Sequence, residues 1–277
     1  MPIFTGQSLY NLFGGLSRSY VDYFFYLAYG SADEVRTHAQ RGVEMGYSVF
    51  YVKVGLDIEA ELRMVAAIRE AIGSQGKIRI DANGSWSVNE ALRFLEEFDY
   101  YRIDFVEQPV WPDPIENMIE VRNRTPVAIS ANEGLWRLCD VHEVIKRRAA
   151  DILCFSSNFV GSLGRFHRLS HQAHLEGFKV CRHTHGELGL MASASHHVCL
   201  TLPNLVDGNQ QTAEMMEDDI LTEPLPIASG ARCGIPKGIG LCVEVDEKKV
   251  RKYNMRYESG GQFLPYQPEM FNPPDAS

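Results

Sequence analysis

The sequence predicts an α/β fold: a single (β/α)-barrel of the TIM type. Three observations point there. The 277 residues match the roughly 250 typical of one such barrel. Short apolar, strand-like segments alternate with helical ones along most of the chain. Six of those segments end in a residue able to bind a metal or move a proton: Lys53, Asp81, Glu107, Glu133 (preceded by Asn132), Ser156 and His183. Neighbours in that series lie 23–28 residues apart, about the length of a βα unit. Strands of such a barrel all end on one face, where active sites sit. Residues far apart in sequence therefore converge on one pocket.

The elements follow in order. Residues 1–20 read as a lead-in segment and 21–217 as the barrel. Residues 218–277 read as a C-terminal segment packing back on it, with a polar tail, NPPDAS. Strands are expected near 22–28, 48–54, 77–81, 103–107, 127–131, 151–156, 179–183 and 204–207. Their apolar character fits a parallel sheet covered by helices. Ser31-Ala-Asp-Glu34 has the form of a capping box, opening a helix to about Met45, and Gly46 suits its C′ position. Ile58 to Ile72 has helical spacing and stops at Gly73. Ser87-Val-Asn-Glu90 is a second capping box. Asp113-Pro114 puts a cap residue before a proline at the first helical position. Later helices are expected over 136–148, 162–176 and 188–202. From about Asp218 the pattern dissolves into Pro- and Gly-containing segments.

Composition narrows the function classes. Hydrophobic content of 45% and charged content of 23% are ordinary for a globular protein. The net charge is −9 and no run of Lys and Arg offers a phosphate-tracking surface, so nucleic acid is not an expected partner. The segment MPIFTGQSLYNLFGG lacks a basic n-region and a long apolar stretch, so no signal peptide is expected. No run of about 18 apolar residues would span a membrane. The six cysteines form no CxxC and read as mostly buried thiols in a reducing cytoplasm.

Asp81, Glu107 and a third oxygen ligand at Asn132 or Glu133 make a hard-cation site. Two or three carboxylates with open positions suit Mg²⁺. The motifs around them resemble one family. Over about residues 8 to 253 the chain is similar to the mandelate racemase and muconate-lactonizing branch of the enolase superfamily, closest to its sugar-acid (glucarate dehydratase-like) dehydratases. YVKVG matches the family's lysine motif, IDANGSW its first metal ligand and FVEQP its second, and ANEGLW stands at the third. CRHTHGELGL, HHVCLTLPNL and GIPKGIGLCVEVDE resemble its late barrel segments.

The resemblance implies a chemistry. A metal binds the substrate carboxylate, and a lysine or histidine removes the proton alpha to it, giving an enediolate. Lys53 stands at the family's base. His183 lies where the mandelate racemase group keeps a histidine on the opposite face, with His185 as competitor. The leading expectation is a Mg²⁺-dependent lyase that eliminates water from a sugar acid. A racemase or epimerase of a hydroxy acid or amino-acid derivative comes second, and a cycloisomerase third. The expected partners are a small carboxylate substrate and further copies of the chain in a homo-oligomer.

Four departures from the family pattern matter. Tyr51 replaces the first lysine of a Lys-x-Lys pair, so a phenol stands where a positive charge is usual. Ser156 replaces the aspartate that orients the histidine, or a second lysine in other branches. Asn132 replaces an aspartate. The family's N-terminal capping domain is expected to be absent before LYNLFGG, which keeps a fragment or a catalytically silent barrel in view.

Overall fold

The computed structural model describes residues 5–184, 186–212, 215–225 and 231–260. Its centre is a seven-stranded, all-parallel sheet: β2 (Phe25–Leu27), β3 (Val49–Lys53), β4 (Lys77–Asp81), β5 (Ile103–Glu107), β6 (Ile129–Ala131), β7 (Ile152–Phe155) and β8 (Lys179–Arg182), paired in chain order. The helices α2 (Ala32–Glu44), α3 (Ile58–Ile72), α4 (Val88–Asp99), α5 (Ile115–Arg124), α6 (Leu138–Arg147), α7 (Leu163–Leu175) and α8 (Gly189–Cys199) follow successive strands. A short α1 (Leu9–Leu12) precedes them.

Residues 204–210 close the ring. On one side Val180 N–H donates to Asn204 O at 3.0 Å and Val206 N–H to Val180 O at 2.8 Å. On the other, Asn209 N–H donates to Asp22 O at 2.8 Å and Phe24 N–H to Asn209 O at 3.1 Å. The eighth strand expected at 204–207 is thus only two isolated bridges, Val180↔Leu205 and Tyr23↔Asn209. Pro203 lacks a backbone donor and Gly208 takes φ +63°, so the extended path is broken between two otherwise correct partners.

The first expected strand, 22–28, also divides. β1 (Tyr20–Asp22) turns away to pair antiparallel with β9 (Arg232–Gly234), and only β2 joins the barrel. Tyr23 N–H goes to Ala231 O at 2.7 Å, which marks the change of partner. The C-terminal segment is more regular than its composition indicates. Besides β9 it holds α9 (Glu247–Gly260), a strongly polar helix without an apolar stripe to announce it. The polar tail from residue 261 lies outside the described residues.

Local signals explain the helix boundaries. Ser31 and Ser87 both make reciprocal capping boxes with Glu34 and Glu90, and α3 starts on the Asp57 side chain and stops at Gly73. At α5 the expectation shifts by one residue. Pro114 is the N-cap itself, in extended conformation, and no side chain caps the helix.

Strand alternation sorts the side chains. Phe50, Val52, Ile78, Ile80, Val106, Leu153 and Val180 join the main core beneath the helices. The alternate residues point into the barrel: Val49 and Tyr51 pack with Phe24, and Phe105, Ile152, Cys154 and Cys181 pack together. Arg79 is also interior. Its guanidinium lies 4.4 Å from the Phe105 ring centroid and is neutralised by Asp104 at 2.8 Å and Asp207 at 3.2 Å. A buried arginine needs such partners. Reading strand 77–81 simply as apolar missed it.

Candidate active site

The next interior layer, at the C-terminal ends of the strands, gathers the charges. Lys53 Nζ donates to Asp81 Oδ2 at 2.5 Å and to Asn83 Oδ1 at 2.6 Å. The Tyr51 hydroxyl donates to the same Asp81 oxygen. Asp81 Oδ1 accepts from Asn83 N–H at 2.8 Å, which holds Asn83 at φ +45°, a region asparagine tolerates. Asn83 Nδ2 then donates to Glu133 Oε1 at 2.8 Å. Four of the expected residues (Tyr51, Lys53, Asp81 and Glu133) therefore form one hydrogen-bonded network. Asn83, which the motif reading passed over within the matching IDANGSW stretch, is its hub.

Glu107 completes the carboxylate set electrostatically. Burial and the charge of Asp81 push its carboxyl well above the usual range. Burial and Asp81 likewise push Glu133 up to about 7. Burial alone would lower the Lys53 pKa, but Asp81 and Glu107 outweigh it and hold the ammonium form. The Tyr51 phenol is raised by burial and by the same two carboxylates, so it stays a neutral donor.

These residues fit a divalent cation. Glu107 Oε1 and Glu133 Oε2 are buried oxygens without a hydrogen-bond partner, and three mutually repelling carboxylates favour a positive charge among them. Among the described residues no three His, Cys, Asp or Glu side chains close on one point. Asp81 pairs with the Lys53 ammonium, which supplies part of the charge an ion would bring.

Asn132 behaves differently from Glu133. Its Nδ2 donates to Cys154 O at 3.0 Å and its N–H to Gln108 Oε1 at 3.0 Å. Gln108 also accepts from Gly134 N–H at 3.2 Å, so it shapes the short 3-10 turn Glu133–Leu135 that carries Glu133. Gln108 belongs to the FVEQP motif, and its positive φ of 36° was not legible from the residue type.

Ser156 and His183 form the far side of the mouth. Phe155 pairs with Arg182 in register, and His183 N–H donates to Phe155 O at 2.8 Å, so the two residues follow each other on adjacent strands. Ser156 Oγ accepts from Asn158 N–H at 3.3 Å. The His183 ring sits 6.2 Å from Phe159, which stacks on Trp136 at 4.5 Å. Counting round the ring, Ser156 stands four strands from Lys53 and His183 three. The serine is directly across from the lysine, and the histidine is one strand off. His185 lies outside the described residues.

Comparison with known proteins adds the family. The profile described as "Enolase C-terminal domain-like" matches residues 34–249. N-succinyl-L-Arg/Lys racemase of Bacillus cereus is 28% identical over 70% of this chain and 53% of its own length. D-galactarolactone cycloisomerase of Agrobacterium fabrum is 27% identical over 81% of this chain and 61% of its own. The chain thus spans little more than half the length of these relatives. An isomerase from Streptomyces coelicolor superposes with a TM-score of 0.87 at 26% identity, over 95% of this chain and 72% of that one. A dipeptide epimerase from Enterococcus faecalis, complexed with Mg and the dipeptide L-Leu-L-Tyr, shares the fold with a TM-score of 0.83 at 23% identity, over 88% of this chain and 69% of its own. This chain belongs to the enolase C-terminal domain-like family.

Proposed function

We propose that this family member moves a proton at the carbon alpha to a carboxylate, as a racemase or epimerase of a small amino-acid derivative. The observation that carries the reading is the Lys53 ammonium set among Asp81, Glu107 and Glu133. Asp81, Glu107 and Glu133 are the residues that would hold Mg²⁺. When bound, the ion supplies the positive charge that a developing carboxylate dianion requires. With the Asp81, Glu107 and Glu133 charges taken up by such an ion, Lys53 would no longer be held in its ammonium form and would act as the base.

The residues divide the work. Lys53 takes or returns the alpha-proton on one face. Tyr51 and Asn83 keep Asp81, Glu133 and Lys53 in register. His183, across the mouth, is the candidate for proton delivery on the other face, and Phe159 and Trp136 form an apolar wall beside it.

The choice of isomerisation over water elimination rests on the relatives. Those named above are a racemase, a cycloisomerase, an isomerase and an epimerase, and none is a dehydratase. Two of them, by name or bound ligand, concern an N-acylated amino acid or a dipeptide.

The test is exchange of the alpha-proton with deuterated solvent, followed by NMR over a panel of N-acyl amino acids and dipeptides with Mg²⁺. Exchange with inversion of configuration is expected, and Lys53→Ala should abolish it. Exchange that survives Lys53→Ala, or elimination products from acid sugars in its place, would reject the assignment.

A further inference from the structure

A pair of histidines on the outer helix α7, on the far side of the sheet from the barrel interior, forms a second constellation. His167 and His171 are four residues apart, so they lie one above the other on one helix face. Their ring centroids are 4.4 Å apart. Nε2 of each ring is buried and lacks a hydrogen-bond partner. Two unpaired polar nitrogens side by side are costly, and such groups call for an explanation.

A shared ligand would satisfy both. The His167 ring packs on Phe13 at 5.0 Å between centroids. Burial, with His171 next, lowers the His167 pKa, which favours the neutral ring that ligates.

We propose that His167 and His171 bind one borderline transition cation of the Zn²⁺, Ni²⁺ or Cu²⁺ class through their Nε2 atoms, with water completing the coordination shell. Imidazole selects this class, whereas Mg²⁺ and Ca²⁺ take oxygen ligands. The site is therefore chemically separate from the carboxylate centre. His174 extends the same face but is exposed, and among the described residues no third His, Cys, Asp or Glu side chain closes on the pair. A bound ion would tie α7 more firmly to the Phe13 segment through His167.

The experiment is calorimetric titration of the whole chain with Zn²⁺ in excess Mg²⁺. One Zn²⁺ equivalent is expected. His167→Asn and His171→Asn should each weaken it by roughly 100-fold or more, beyond the 10–100-fold cost of losing an outer-shell partner. Asp81→Ala should leave it in place. Circular dichroism checks that each variant folds. Should one not fold, the Cu²⁺ electron paramagnetic resonance spectrum of the unsubstituted protein decides, because two coupled nitrogens are expected. No Zn²⁺ binding in Mg²⁺, binding as tight as in the unsubstituted protein in either histidine variant, or a Cu²⁺ spectrum without two nitrogens overturns the proposal.

Discussion

The Asn83 amide donates to Glu133 Oε1 at 2.8 Å, while its carbonyl oxygen accepts from Lys53 Nζ at 2.6 Å. One neutral side chain thus sets the spacing between a candidate base and a candidate metal ligand. Asn83→Ala is expected to weaken Mg²⁺ binding by about 10–100-fold, the usual cost of an outer-shell partner. Calorimetric titration measures it, and unchanged affinity would remove Asn83 from the site.

Mg²⁺ should raise the melting temperature, since it binds the folded state. Asp81→Ala and Glu107→Ala should each abolish that shift. Glu133→Gln should do the same, because Glu133 Oε2 is free of other bonds. Asn132→Ala should keep the shift and instead lower stability by about 1–3 kcal/mol, through the lost bond to Cys154 O and an unsatisfied group. The reverse ranking of Glu133 and Asn132 would exchange their roles.

Ser156 and His183 neighbour each other at the ends of β7 and β8. Ser156→Asp places a negative charge there and is expected to raise the His183 pKa, read by proton NMR of the imidazole across pH. His183→Asn should stop inversion of configuration yet spare alpha-proton exchange, if Lys53 alone abstracts the proton. Loss of both would assign His183 to abstraction as well.

His196 links stability to pH. Tyr23 OH lies 2.8 Å from its Nδ1, and its Nε2 lies 2.8 Å from Gly234 O. Nε2–H therefore donates to that carbonyl and Nδ1 accepts from the phenol. Burial lowers its pKa to about 4, against roughly 6.5 when unfolded. The fold prefers the neutral ring, so its contribution is complete above about pH 6.5 and is lost as pH falls toward 4. Thermal melts over that window should show a steeper decline for the native protein than for His196→Gln. Parallel curves would mean the ring does not set the slope.

Gly208 closes the barrel beside Val49. It takes φ +63°, and a Cβ there would meet the Val49 side chain at 2.6 Å. Gly208→Ala should destabilise by about 1–3 kcal/mol from overpacking, with backbone strain in addition. Val49→Ala in the same chain should recover part of the loss, since contacting sites couple. A denaturant titration with no loss in the single variant would show that the 204–210 segment yields.

The fold was legible because its signals are local. Capping boxes at Ser31 and Ser87, Gly73 after α3, and apolar strands between helices each act over a few residues. The spacing of Lys53, Asp81, Glu107 and Glu133 marked the strand ends that the structure places at one face. Segments whose pairing depends on distant partners were less legible: β1, which leaves the barrel for β9, the broken 204–210 closure, and α9, whose polar sequence carries no apolar stripe.

The sequence by itself determined the alternating α/β architecture, its family and which residue types end each strand, because periodicity and caps are written in neighbouring residues. Only the tertiary structure decided which of them meet. It joined Glu133 to Lys53 through Asn83, turned Asn132 toward the Cys154 carbonyl, set Ser156 directly across from Lys53, and seated Arg79 inside the barrel. Such choices depend on strand register and on where each buried polar group finds its partner. Those partners lie tens to more than a hundred residues away and meet only when the sheet curls shut.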